Sequence, residues 1–236
     1  MKVPVKMNAY AVNLAVLAGH GNAEKKVFDL SYGVFHGTAF CFAPDLFLTA
    51  AHVFKDAQGD GEVALARLTP GNFHAQTIKD FEIFDDIDIA LLYCPNLSAE
   101  ILPFNFTSLN FLVDVFTMGF PFGFEPPFYY IRAFKGHVVT RRGLTSLPGV
   151  PAGYELSFVP PPGLSGAPLL TLLPDDSPVV TGMVLQHHTV EYRERRMELG
   201  LALDIEELLT LESRIVGGSI AERLFNRQRL VRNRKA

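Results

Sequence analysis

The chain has 236 residues, of which 48% are hydrophobic and 19% charged. This balance is typical of a packed globular protein and excludes a disordered or fibrous chain. All-β domains of this length often form one structural unit, so we expect a single unit here. The net charge of -4 is unevenly divided: residues 214–236 hold seven basic residues and one acid, a local +6, so residues 1–213 carry -10. The body is acidic and the C-terminal end is basic.

The two cysteines, Cys41 and Cys94, are too few for a disulfide framework, so we expect a reducing compartment and a cytoplasmic location. The N-terminal 19 residues are largely apolar, but Asn8 and Asn13 interrupt the run and no clear cleavage site follows. We interpret this segment as a first β-strand, with a signal peptide as the alternative. No stretch reaches the ~20 apolar residues of a membrane span, and no membrane contact is expected.

Short apolar runs separated by turn residues recur along the chain, such as DLFLTAAHVF, GEVALARL, DIDIALLYC and MELGLALD. Such a series of short strands indicates a β-sandwich or β-barrel. No helix-period pattern appears before residue 204. After it, Asp204 with Glu207 and Ser219 with Glu222 resemble helix N-caps. The last helix is amphipathic, with Ile220, Leu224 and Val231 on its apolar face and arginines on another. We interpret it as docked on the body of the protein, with a protein-partner or nucleic-acid surface as the alternative.

Three motifs place reactive side chains beside predicted strands. His52 ends an apolar run in TAAHV, where an imidazole can act as a general base. Asp88 begins DIALL, where its carboxylate can bind the second imidazole nitrogen and fix the tautomer. Ser165 lies in the turn GLSGAPL, where the amides of Gly163 and Ser165 can stabilise an oxyanion. Asp86 is the alternative acid.

Each motif alone also fits an ordinary role as a surface histidine, a turn-capping acid or a polar turn. Their order along the chain is more specific. The histidine precedes the acid, the acid precedes the serine, and the serine lies between strands. An α/β-hydrolase places its serine first, on a turn from strand to helix, so this order argues against that fold.

In this order TAAHV, DIALL and GLSGAPL resemble the trypsin-like, chymotrypsin-fold serine proteases, and the HtrA/Deg-type and other bacterial branches more than the digestive enzymes. GTAFCFAPD, MGFPFG and FKGHVVTRRG extend the resemblance to about residues 30–212. It implies an all-β fold of two six-stranded antiparallel β-barrels, roughly residues 1–110 and 111–203, with short C-terminal helices. The protease domain would span residues 1–212 and a basic helical tail residues 213–236.

The resemblance implies a serine endopeptidase with the triad His52, Asp88 and Ser165, acting on protein or peptide substrates without a metal or cofactor. The sequence departs from the digestive enzymes at Leu164, where those enzymes carry an acid that pairs with a freed N-terminus. The sequence RIVGG at residues 214–218 mimics an activation site, but it lies at the wrong end of the chain and we interpret it as a coincidence.

The resemblance also implies that Val159, Gly200, Leu201 and Ala202 line the primary specificity pocket. No acid stands at that place, so we expect a preference for apolar or small side chains over Arg and Lys. His187 and His188 lack the further ligands that a metal site needs, so we interpret them as surface or pocket residues.

Regulation is expected to depend on loop order or on a protein partner of the basic tail. The segment FEPPFYY, residues 124–130, is predicted as a loop beside the active site. A function in nucleic-acid binding would rest on the tail alone and is not expected. The alternative from another functional class is a catalytically idle protease fold that serves as a binding module.

Overall fold

A computed structural model describes residues 12–19, 21–22, 27–28, 34–69, 72–97, 99–121, 131–142, 152–193 and 195–224. The predicted mobile loop at residues 124–130 and Val231 of the last helix lie outside these residues. Among the described residues, no helix is long and apolar enough to cross a membrane.

The first half of the molecule is an antiparallel sheet of seven strands in the order β7-β6-β1-β4-β5-β9-β8. These strands are β1 (Asn13–Gly19), β4 (Val34–Ala43), β5 (Leu46–Ala50), β6 (Glu62–Thr69), β7 (Asn72–Thr77), β8 (Asp80–Phe84) and β9 (Ile89–Tyr93). The short strands β2 (Gly21–Asn22) and β3 (Val27–Phe28) pair with each other.

The second half is a closed six-stranded barrel in the order β10-β11-β12-β15-β14-β13. Its strands are β10 (Asp114–Gly119), β11 (Arg132–Arg142), β12 (Gly153–Leu156), β13 (Pro168–Leu172), β14 (Pro178–Tyr192) and β15 (Arg195–Asp204). Strands β14 and β15 pair along their length as far as Tyr192 and Arg195, so they extend from the barrel as a long hairpin.

The predicted all-β double-barrel fold is confirmed, with one difference in the first half. There the sheet has seven strands and does not close. Residues 78–79 separate β7 from β8, and these two strands form opposite edges of the sheet. The amide of Ile78 donates to Val63 of β6, and the amide of Lys79 donates to Tyr93 of β9. The link between the edge strands therefore contacts both sides of the opening.

Two main apolar cores lie inside these sheets, and a small third cluster joins Ala15, Ala64 and Ala66 of the first sheet to Phe120. The larger core fills the first half, where Phe40 and Leu91 are no more than 1% exposed, and it extends to barrel residues such as Met183 and Leu203. The smaller one fills the barrel around Tyr154, Leu156, Leu164, Ala167 and Leu169. Burial of one large apolar side chain stabilises a fold by about 1.5–3 kcal/mol, so these alternating strand residues hold each half together.

The expectation that no helix precedes residue 204 is wrong. Helix α1 (Ala51–Gly59) follows β5 directly and buries Val53, Phe54 and Ala57 against the first core. The helix has only nine residues, of which three pack in this core, so it is too short to show a clear 3.6-residue period in the sequence. It matters for the site because His52 lies in its first turn.

The C-terminal segment crosses back to the first half. It contains helix α2 (Glu206–Leu209), the paired strands β16 (Glu212–Ser213) and β17 (Gly218–Ser219), and helical residues 220–224. Its buried side chains are Ile205, Leu208, Ile220 and Leu224, which all pack in the first core. The predicted apolar face of the last helix is therefore buried at both of its described positions.

The RIVGG sequence forms the turn of this segment and has a structural role. Both terminal nitrogens of Arg214 bind the Asp80 carboxylate on edge strand β8, at 2.7 and 2.8 Å, and one of them also donates to the carbonyl of Phe81. The hydrogen bond from Arg214 holds the pKa of Asp80 below its ordinary value. Ser213 donates to Glu82 of the same strand at 2.7 Å. The segment thus covers an edge that would otherwise be open to pairing.

Candidate active site

His52 and Asp88 form the centre of the site. The imidazole Nδ1 lies 2.7 Å from Asp88 Oδ2, and the main-chain N–H of His52 donates to Asp88 Oδ1 at 3.0 Å. An ionised carboxylate only accepts hydrogen bonds, so Nδ1 carries the proton and Nε2 keeps its lone pair. The histidine side chain is 38% exposed, so this lone pair belongs to a group that solvent or a ligand can reach.

Asp88 has two structural tasks that explain its unusual backbone. Its φ of 55° lies in the left-handed region, which costs a non-glycine residue roughly 1–3 kcal/mol. In this conformation its carbonyl accepts the N–H of Ala51 and its carboxylate accepts the N–H of His52. These N–H groups begin α1 and have no partner within the helix, so Asp88 caps the helix from a separate segment.

Asp86, the alternative acid, does not reach the histidine. It lies in the 3-10 turn Asp85–Ile87 and is exposed. Its neighbour Asp85 forms an ion pair with Lys55 of α1, which ties the same turn to the helix that carries His52. Of the two predicted acids, the structure brings only Asp88 into contact with the imidazole.

Ser165 lies in a tight turn between β12 and β13. Gly163 and Gly166 have φ values of 94° and 83°, which L side chains rarely adopt. A Cβ on Gly166 would stand 2.1 Å from the carbonyl oxygen of Thr38, and one on Gly163 would stand 2.3 Å from that of Phe120. Main chain therefore lies directly against main chain here, and only glycine fits at both positions.

The hydrogen bonds of the turn leave two donors free. The amide of Leu164 donates to Pro161, that of Gly166 to Val184, and that of Ala167 to Leu164. No acceptor in the described part of the chain binds the N–H of Gly163 or of Ser165. These two amides are the predicted oxyanion donors, and free N–H groups are what such a site needs.

The turn is held against the strands that lead to His52. The amide of Thr38 on β4 donates to the carbonyl of Ser165 at 3.0 Å. A Cβ on Gly166 would also approach the hydroxyl of Thr49 at 2.4 Å, and Thr49 stands three residues before His52. Within the described residues Ser165 Oγ makes no hydrogen bond to the imidazole, so the link between the two segments rests on the contacts with Thr38 and Thr49.

The predicted pocket residues occupy two neighbouring segments. Val159 is 39% exposed, and Gly200 packs so closely on the next turn that a Cβ would lie 2.5 Å from the carbonyl of Phe158 and 2.9 Å from Pro160. Leu201 is buried, and Ala202 packs in the barrel core. The structure thus brings Val159 and Gly200 together and places the side chain of Ala202 in the core.

The remaining candidate groups are two histidines and two cysteines. His187 and His188 are on β14, paired with Gly200 and Leu199 of β15. Cys41 and Cys94 are buried and are not joined by a disulfide, and burial raises the pKa of the Cys94 thiol to about 12. A thiol with so high a pKa is unreactive at neutral pH, so neither sequence nor structure assigns Cys94 a chemical role.

Together the closed barrel and the open antiparallel sheet are the architecture of the chymotrypsin-fold, trypsin-like serine proteases, which are hydrolases. The profile of the trypsin-like peptidase domain matches residues 37–173. This is more than half of the chain, and the chain belongs to the trypsin-like peptidase family. No curated protein matches it in sequence.

Solved structures of similar fold include bacterial proteases. The active form of the Rv3671c protease from M. tuberculosis is 20% identical, with a TM-score of 0.61 over 87% of this chain and 81% of that one. The MamO protease domain from Magnetospirillum magneticum is 13% identical, with a TM-score of 0.62 over 89% and 100%. The HtrA-type protease AlgW with a decapeptide is 13% identical, with a TM-score of 0.59 over 84% and 62%. The predicted likeness to HtrA/Deg-type and other bacterial branches is confirmed.

Replacement of Asp88 by Asn tests which acid serves His52. An amide at this place offers an N–H to the imidazole and favours the wrong tautomer, so kcat for peptide hydrolysis should fall by about 10³–10⁴-fold. The matched control is Asp86→Asn, which removes a charge two residues away and should keep kcat within about two-fold. Steady-state kinetics on one peptide would compare the two, and an equal loss in both variants would contradict the assignment.

Proposed function

We propose that the protein is a serine endopeptidase in which Ser165 is the nucleophile, His52 the general base and Asp88 the residue that orients the base. The observation that carries this proposal is the 2.7 Å contact between Asp88 and Nδ1 of His52. It leaves Nε2 as an acceptor near a turn that offers a serine hydroxyl and two free amides. Acyl transfer needs these three elements within one cleft.

In the acylation step, Ser165 Oγ attacks the carbonyl carbon of the scissile peptide bond while Nε2 of His52 takes its proton. The carbonyl oxygen becomes an oxyanion, which the amides of Gly163 and Ser165 stabilise. Loss of one such donor typically costs about 3–4 kcal/mol of transition-state stabilisation. The tetrahedral intermediate collapses when the imidazolium gives its proton to the leaving amine.

In the deacylation step, water replaces the leaving amine and His52 again accepts a proton. During both steps the imidazole becomes positively charged, and the carboxylate of Asp88 at hydrogen-bond distance stabilises that charge. Asp88 also holds the main-chain N–H of His52, so the ring is anchored at two points when its charge changes.

A serine-reactive fluorophosphonate probe tests this proposal directly. The wild-type chain should be labelled on Ser165, and Ser165→Ala should remove the labelling together with peptide hydrolysis. Ser157→Ala, on the strand end beside the pocket, is the matched control and should still be labelled. If the folded wild-type protein is never labelled and cleaves nothing, the chain is a protease-fold binding module instead.

The primary pocket is proposed to accept apolar or small side chains. Its turn segment, residues 157–163, reads SFVPPPG and carries no acid, and His187 and His188 of β14 pair with Gly200 and Leu199 of β15. Without a carboxylate, a buried Lys or Arg side chain would remain unpaired, and this is costly. The decapeptide complex of the similar AlgW structure supports peptides as the substrate class.

Substrate profiling with a mixed peptide library should show cleavage mainly after apolar or small residues. Val159→Asp should shift the preference toward Arg and Lys by about ten-fold or more, since a partly buried charge pair is worth over 1 kcal/mol. Val159→Asn, with similar size and no charge, should not. Dominant cleavage after Arg or Lys by the wild-type chain would refute this pocket assignment.

Regulation is proposed to act through loop order or through a partner of the basic tail. Leu164 is fully buried where an acid would be needed for pairing with a new N-terminus. Both active and inactive forms of the similar Rv3671c protease are known, which supports conformational control in this fold. Two cysteines that form no disulfide support a reducing, cytoplasmic setting, where such control would limit damage to other proteins.

Active-site titration tests this regulation. The burst of product from an unstructured substrate should be well below one equivalent for the isolated chain. Replacement of Arg227, Arg229, Arg232 and Arg234 by Gln should change that burst if the tail contributes. A full burst and equal turnover in both proteins would show that the enzyme is constitutively active.

A further inference from the structure

Thr38 forms a hydrogen-bonded bridge between the two halves of the molecule. It lies on β4 of the first sheet and is completely buried. Its hydroxyl donates to the carbonyl of Gly163 at 2.7 Å and accepts the N–H of Phe120 at 3.2 Å. Both partners belong to the barrel side, and one of them is a predicted oxyanion residue. The Thr38 hydroxyl therefore donates one hydrogen bond to the other half of the molecule and accepts one from it.

The main chain of Thr38 adds two further bonds. Its N–H donates to the carbonyl of Ser165 at 3.0 Å, and its own carbonyl accepts the hydroxyl of Thr49 at 2.8 Å. One residue thus holds the carbonyls on both sides of Leu164. Through Thr49 it is also tied to β5, which ends two residues before His52.

The surroundings leave this hydroxyl no freedom to move. A Cβ on Gly119 would lie 2.6 Å from Thr38 Oγ1, so the barrel main chain reaches the hydroxyl closely. Thr38 and Gly163 are 125 positions apart in sequence, and the hydrogen bond between them depends on how the two halves are placed relative to each other. Any shift of one half against the other would break it.

We propose that Thr38 is a positioning residue for catalysis, whose hydroxyl fixes the Gly163–Ser165 turn in register with His52. This inference rests on the proposed function and adds to it a residue outside the triad. The nucleophile and the oxyanion amides come from the barrel, whereas the base comes from the first sheet. Displacements of about 1 Å between such groups can reduce a rate by about 100-fold.

Thr38→Val tests the proposal because valine keeps the shape and removes the hydroxyl. The carbonyl of Gly163 and the amide of Phe120 lose a buried partner, and the turn can shift. We expect kcat to fall by about ten-fold or more while KM stays within about two-fold, as for an interaction made mainly in the transition state. Thr38→Ser should restore kcat to within about three-fold of wild type.

Thr181→Val is the matched control. Thr181 is also completely buried, and its hydroxyl donates to the carbonyl of Leu169 at 3.3 Å within the barrel. This variant should lower the unfolding temperature to a similar extent and leave kcat within about two-fold. A loss of stability without a loss of turnover would separate packing from positioning.

A peptide boronic acid, which binds serine proteases as a transition-state analogue, supplies a second measurement. Its affinity should fall in Thr38→Val by the same factor as kcat, with Thr181→Val unaffected. If Thr38→Val does not fold by circular dichroism, Thr38→Ala replaces it, since alanine also removes the hydroxyl.

Three outcomes decide the matter. A folded variant without the hydroxyl that keeps wild-type kcat and boronate affinity would overturn the positioning role while the protease remains. Equal loss of kcat in Thr38→Val and Thr181→Val would assign the effect to general stability and overturn it as well. A wild-type chain that neither cleaves peptide nor reacts with fluorophosphonate would remove the proposed function and this inference together.

Discussion

Direct contact of main chain on main chain, where the 163–166 turn lies against β4 and β5, is the constraint on which the site depends. At Gly166 a Cβ would meet the Thr38 carbonyl at 2.1 Å, so a larger residue would force the two halves apart. The contact combines hydrogen bonds with Thr38 and packing of the Phe35 ring, which lies 2.8 Å from where a Cβ on Gly163 would stand. Hydrogen bonds are more directional than apolar contacts, and this interface therefore sets an orientation as well as a distance.

The acid–histidine pair shows how one strained residue serves several needs. Asp88 in a left-handed conformation is unfavourable by itself, yet it caps α1 twice and binds the imidazole once. Charge-assisted hydrogen bonds of this kind contribute about 1.5–3 kcal/mol each, which is enough to offset the backbone cost. Because the same carboxylate holds both the helix start and the ring, His52 cannot move relative to Asp88 without uncapping the helix.

The sequence was informative where a pattern is local. Alternating apolar strands indicated the all-β class, and the TAAHV and DIALL motifs named His52 and Asp88, which the structure brings into contact. Asp88 and Asp86 are two positions apart, so only three-dimensional contact with His52 separates them. Thr38 could not be identified from the sequence, because its four hydrogen-bond partners lie 11 to 127 positions away and nothing in the sequence GTAF indicates a buried hydroxyl.

Two fold features were also beyond local patterns. Whether the first sheet closes depends on the break at residues 78–79, and the two amides there bind strands that a sequence cannot pair in advance. Arg214 likewise looked like part of an activation sequence, whereas its partner Asp80 is 134 positions earlier. Long-range pairs of this type are set by topology and not by neighbouring residues.

The position before Ser165 shows how the turn is kept ordered in this chain. Leu164 is fully buried in the barrel core, and its side chain comes within 2.9 Å of where a Cβ on Gly119 would stand. An acidic side chain at residue 164 would lose its hydration on burial and would need a cationic partner. Burial of a leucine side chain instead stabilises the fold by about 1.5–3 kcal/mol. The order of the 163–166 turn is therefore coupled to packing of the barrel core. A signal that changes this turn must act through the barrel or through the contact with Thr38, since no charge at residue 164 is available to respond.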